Sequence, residues 1–108
     1  MYYKVEVNNM IDKVQLITIT DIKTGEKSYV YPANKAFQKR NKTYYVDDEL
    51  LEIAISLLEN VCIKRACGMV KYTITLNYLS CEKKFLIHPE YNSNIETIER
   101  KMAKVIEF

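Results

Sequence analysis

Apolar and polar positions along this chain recur with two periods, and the change from one to the other divides it into elements. Residues 3–7 alternate apolar and charged side chains, the repeat of a half-buried strand. Asn8 and Asn9 suit a turn. Residues 14–22 are rich in β-branched side chains and apolar on both faces at their middle, which predicts a central strand. Lys23-Thr24-Gly25-Glu26-Lys27 reads as a hairpin turn, with Gly25 free to take positive φ. It leads to a strand over 28–31 that Pro32 ends, because proline donates no ladder hydrogen bond. Residues 33–42 have the weakest pattern and predict a loop with one helical turn around 35–39. A short extended piece follows over 43–46.

The longest apolar stretch at helical spacing is 47–68. Asp47 or Asp48 can cap its first amides, and Glu49 and Glu52 sit where the helix dipole favours negative charge. Lys64 and Arg65 suit a last turn, and Gly68 a left-handed end. Glu49, Glu52, Ser56, Glu59 and Asn60 form a narrow polar stripe, so the apolar face is broader than packing on one sheet requires. Either strands and a second helix both cover it, or part of it meets a partner. Beyond Gly68, Val70, Tyr72, Ile74, Leu76 and Tyr78 alternate with Lys71, Thr73, Thr75 and Asn77, an antiparallel strand with one wet side. Residues 84–88 return as a strand before Pro89. Ser93 and Glu96 fit a capping box, and Ile95, Ile98, Met102, Val105 and Ile106 recur at helical spacing. The order β-β-β-α-β-β-α predicts a single α+β domain over 1–108. Its sheet is mostly antiparallel, of about five strands, with both helices on one face.

Composition adds bounds. The hydrophobic fraction of 48% and charged fraction of 28% are those of a globular domain able to build a core without metals or disulfides. No apolar run is long enough for a membrane span, and residues 1–7 lack the pattern of a signal peptide, so a cytoplasmic location is expected. Cys62, Cys67 and Cys81 are then expected as free thiols. The abundance of Lys, Ile, Asn and Tyr points to an A/T-rich genome, such as that of a low-GC bacterium or its phage.

Catalytic chemistry finds little support. Two glycines, Gly25 and Gly68, cannot make a phosphate-cradling loop or a dinucleotide fingerprint. The lone His88 has no nucleophile or acid beside it in sequence, and the three cysteines have no zinc spacing. Glu49, Glu52 and Glu59 share a face, but as the solvated stripe of a helix. No enzymatic activity, cofactor or metal is expected. The informative stretch is 27–46, with Lys27, Lys35, Lys39, Arg40 and Lys42 and no acid, a local charge of +5 in a chain of net +2. These cations are interleaved with Tyr29, Tyr31, Phe37, Tyr44 and Tyr45. Cations neutralise phosphates and aromatic rings stack on bases, while Tyr and Arg also anchor protein interfaces. The candidate site is Lys35, Lys39, Arg40, Lys42, Tyr44 and Tyr45. The partner is a protein or nucleoprotein, or nucleic acid directly, and the wet sheet face leaves a homodimer open. Shortness, A/T-rich flavour and absence of catalytic motifs resemble accessory proteins of phages and mobile elements. Inhibitors of a host nucleoprotein or defence nuclease, of the anti-CRISPR kind, are among these. The chain is not acidic enough for a DNA mimic, so such an inhibitor would present its basic segment. A structural subunit of an assembly is a third class.

Overall fold

The computed structural model describes residues 13–62 and 68–104. The strand expected over 3–7, the Asn8-Asn9 turn, Lys64, Arg65, Cys67, Val105 and Ile106 lie outside those residues. The elements are β1 (Val14–Asp21), β2 (Lys27–Tyr31), β3 (Ala36–Lys39), β4 (Lys42–Tyr45), α1 (Asp48–Asn60), β5 (Tyr72–Tyr78), β6 (Glu82–Leu86) and α2 (Asn92–Met102). A 3₁₀ turn, Pro89–Tyr91, leads into α2. The strands form one antiparallel sheet in the order β4-β3-β2-β1-β5-β6, an α+β fold.

Among the described residues the sheet has six strands where about five were expected for the whole chain. Four match expected strands, the fifth (3–7) lies outside the described residues, and the two additional ones arise in 33–46. Residues 33–42 are not a loop with a helical turn. Ala36–Lys39 is a strand, and Arg40 and Asn41 form a two-residue turn with φ of 52° and 65°. Two consecutive positive φ values twist a hairpin the way its strands twist, which is why they usually recruit Asn-Gly. Arginine is unusual in that conformation, so the turn has no glycine to announce it.

Register assigns every side chain to a face. Ile17 and Ile19 on β1, Ser28 and Val30 on β2, Phe37 on β3, and Tyr72, Ile74 and Leu76 on β5 all point one way and are buried. Leu51, Ala54 and Leu58 of α1 and Ile95, Ile98 and Met102 of α2 join the same core, so both helices cover that face. The opposite face carries Leu16, Thr18, Tyr29, Tyr31, Gln38 and Thr75, half-buried, Ala36 and Thr73, buried, and Tyr45, exposed. Thus β1 is interior in the sheet, and its fully buried apolar side chains, Ile17 and Ile19, lie on one face.

α1 begins as expected: the Asp47 carboxylate accepts from the Leu50 amide at 2.8 Å. It ends earlier than expected, at Asn60, with Val61 as its C-cap. The Cys62 amide bonds to the Glu59 carbonyl, a tightened last turn, where Asn60, Val61 and Cys62 are all weak helix formers. Gly68 does adopt φ 91°, but in the segment approaching β5 rather than as the cap of α1. Nor does the Ser93–Glu96 capping box form. α2 has no side-chain cap and instead grows from the 3₁₀ turn, whose first free amide, that of Glu90, donates to His88 Nδ1 at 3.2 Å.

Candidate binding surface on the β3–β4 hairpin

Antiparallel pairing sets Ser28, Lys39 and Lys42 in one row across the core face of β2, β3 and β4. Over that row lies Glu99, the one acid among the buried positions of α2. Its carboxylate accepts the Ser28 hydroxyl hydrogen bond and stands 3.4 Å from Lys39 Nζ. Lys39 also lies 3.7 Å from Glu26, whose other oxygen receives Arg40 Nε at 3.0 Å. Lys35 pairs with Asp48, in the first turn of α1, at 2.9 Å. Three of the four cations expected to face a partner are therefore held by acids of the same chain. Lys42 has no ion pair among the described residues.

The hairpin and the C-terminal half of α2 enclose a cleft of about 610 Å³. Asp21, Glu26, Glu96 and Glu99 line it against Lys39, Arg40, Lys42 and Arg100, so the formal charges balance. The local +5 of the sequence is thus no basic surface in the fold. Tyr44 also borders the cleft, half-buried with its ring 6.2 Å from that of Phe37. Tyr45, its neighbour, is on the opposite face of the sheet and 83% exposed. Lys35 sits at the far end of β3 from Arg40, roughly 17 Å away along an extended strand. The six expected residues do not converge. Lys39, Arg40, Lys42 and Tyr44 share the cleft, whereas Lys35 and Tyr45 look elsewhere.

Sequence reasoning missed Asp21, Glu26, Glu99 and Arg100. For Glu99 a signal was present: it falls in the apolar series Ile95, Ile98, Met102, where a lone acid requires a partner.

A second polar cluster ties α2 to β5 at the same cleft. Glu96 accepts from Lys71 Nζ at 2.6 Å and from the Tyr72 hydroxyl at 2.8 Å. The Lys71 and Tyr72 bonds hold the Glu96 carboxyl below its ordinary range. The Glu96 bond pushes Lys71 up to about 12, and burial, aided by the same carboxylate, pushes Tyr72 to about 12. Elsewhere, burial and the nearby Glu59 charge push the Cys62 thiol up to about 12, and its Sγ lies 3.2 Å from the Leu58 carbonyl. Such a thiol is a poor nucleophile.

The broad apolar face of α1 is only partly covered by the core. Ile53 is 51% exposed and, with Leu57, Val61 and Tyr91, borders a groove of about 550 Å³. Among the described residues no three His, Cys, Asp or Glu side chains are placed to hold a metal ion, and no helix is long and apolar enough to cross a membrane. Comparison of the chain with protein-family models, with curated proteins and with solved structures finds no match.

Proposed function

We propose that this protein is a small non-catalytic module that acts by binding another protein or nucleoprotein. On this reading it is an accessory protein of a phage or mobile element that inhibits a host nucleoprotein or defence nuclease. The observation that carries the preference for a protein surface is the fate of the hairpin charges. Lys35, Lys39 and Arg40 are already paired with Asp48, Glu99 and Glu26, while the aromatic Tyr45, on the other face of the hairpin from Lys39, stands 83% exposed. A phosphate-tracking groove needs unpaired cations. A protein interface needs large rigid side chains that bury area at low entropic cost, which Tyr45 supplies.

A second reading, direct binding of single-stranded nucleic acid, is favoured by an aromatic pair on the sheet face away from the helices. There Tyr29 and Tyr31 lie with ring centroids 6.2 Å apart, Lys27 shares their strand, and bases stack on such platforms. The two readings separate in a capture experiment from host lysate with the purified chain as bait, with and without nuclease. Retention of one protein after nuclease, lost with Tyr45→Ala, is the result expected. Recovery of nucleic acid alone, or loss of every partner after nuclease, would favour the second reading.

A further inference from the structure

β4 is one of the two edges of the sheet, and its hydrogen-bonding directions follow from the hairpin. The Val46 amide donates to the Lys35 carbonyl at 2.8 Å, which makes that pair hydrogen-bonded. Alternation along an antiparallel ladder then makes Phe37–Tyr44 and Lys39–Lys42 hydrogen-bonded pairs, and leaves the N–H and C=O of Thr43 and Tyr45 directed away from β3. No backbone partner meets those groups among the described residues.

The two edges differ in how they are guarded. β6 opens with Glu82, Lys83 and Lys84 in succession, a run of charge that resists strand addition. β4 has the single charge Lys42, followed by Thr43, Tyr44 and Tyr45, all good strand formers. Lys42 and Arg100 stand on opposite walls of the cleft that borders this edge; Lys42 has no ion pair among the described residues, and the Arg100 charge acts on Glu96 without a direct ion pair.

We infer that the edge of β4, unpaired among the described residues, receives an extended acidic segment of a protein partner as an added strand. Main-chain bonds to Thr43 and Tyr45 would supply the register. An acidic side chain on the cleft side faces Lys42 and reaches toward Arg100, and an apolar side chain three positions along covers Tyr45 on the other face. A second copy of this chain does not fit that description. Its own β4 carries no acid, and its β6 brings Lys83 to the core face, the side on which Lys42 stands. This inference rests on the proposed protein-binding function and narrows it to a partner chemistry.

The test is selection of displayed random nine-residue peptides on the full chain, followed by amide hydrogen exchange with an enriched peptide. Enrichment of peptides with Asp or Glu at alternate positions is expected, together with slowed exchange at Thr43 and Tyr45. Lys42→Glu, at an exposed unpaired position, should weaken the enriched peptide at least tenfold. Thr43→Pro removes an outward N–H, which edge strands tolerate, and should do the same. The assignment is overturned by failure to enrich, by acid-free winners, by exchange that is unchanged, or by displacement of the peptide with a dT12 oligonucleotide. If a nuclease-resistant protein partner is captured equally by wild type, Lys42→Glu and Thr43→Pro, the edge is wrong and the protein-binding reading stands. If no protein partner survives nuclease, the broader reading falls with it.

Discussion

Lys39 and Lys42 are cross-strand neighbours of the same residue type, yet the fold gives them opposite work. Lys39 lies against Glu99, whose side chain is 7% exposed, so removing the ammonium leaves a buried carboxylate with Ser28 alone. Lys39→Ala is expected to cost about 1–3 kcal/mol in urea unfolding, whereas Lys42→Ala should stay within about 0.5 kcal/mol. Equal midpoints for the two variants would mean that Lys39 solubilises the hairpin and does no more. Lys39→Glu should destabilise further, because it sets two carboxylates together, so that substitution cannot report on partner binding alone. None of this was legible locally, since Glu99 enters from 60 residues away. What sequence offered was a run of like charges, and what decides their role is long-range pairing. The cysteines divide in a similar manner. With Cys67→Ser, alkylation at pH 8 should modify Cys81, which is exposed, much faster than Cys62, whose thiol is pushed up to about 12. Comparable rates would show that Cys62 is more accessible than its packing implies.

Elements were read best where period and burial agree. β5 is the clearest case: Tyr72, Ile74 and Leu76 are all buried on one face, as their alternation predicts, although Thr73 on the side expected to be wet is buried as well. α1 was located, but it closes at Asn60, where the apolar pattern runs on into residues that are weak helix formers. The pattern also failed to rank its side chains. Leu58 is fully buried and Leu57 only partly, so Leu58→Ala should cost about 2–5 kcal/mol and Leu57→Ala clearly less. The β3–β4 hairpin was missed because its turn is Arg40-Asn41, without the glycine that marks such turns. Between elements, the Lys71–Glu96–Tyr72 cluster gives the β5–α2 contact a pH dependence of known sign. Glu96 is held low in the fold, so its contribution is complete above the ordinary value of 4.5 and fades as pH falls through the lower folded value. Lys71 and Tyr72 are raised to about 12, so their contributions are complete below 10.5 and 10.0 and are lost as pH rises toward 12. Glu96→Gln should flatten both limbs of melting temperature against pH. An unchanged alkaline limb would place Lys71 and Tyr72 outside that coupling.

At the scale of the whole molecule, net charge says less than where charges are already neutralised. The segment 27–46 carries +5 in sequence, but Lys35, Lys39 and Arg40 meet Asp48, Glu99 and Glu26 once the sheet and helices assemble. Of that segment, Lys27 and Lys42 alone remain without an ion pair among the described residues, on opposite faces of the sheet. No single partner lying on one face can therefore engage all five cations without first breaking internal pairs, one of which holds the buried Glu99. This constrains salt dependence before any partner is known. If all five cations met phosphates, log K would fall with log salt at a slope of about −4 to −5, following roughly −0.9 per contact on duplex DNA. An interface using Lys42 and Arg100 against two carboxylates, with Tyr45 buried on the other face of the edge strand, should show a much weaker dependence, since screening acts on two partly desolvated charges rather than on released counterions. Titration of the captured partner between 50 and 400 mM salt measures the slope directly. A value near −1 fits strand addition at the β4 edge. A value near −4 would require the pairs at Glu26, Asp48 and Glu99 to open on binding, and Glu99→Gln, which removes one charge of a pair that would have to break, should then tighten the complex.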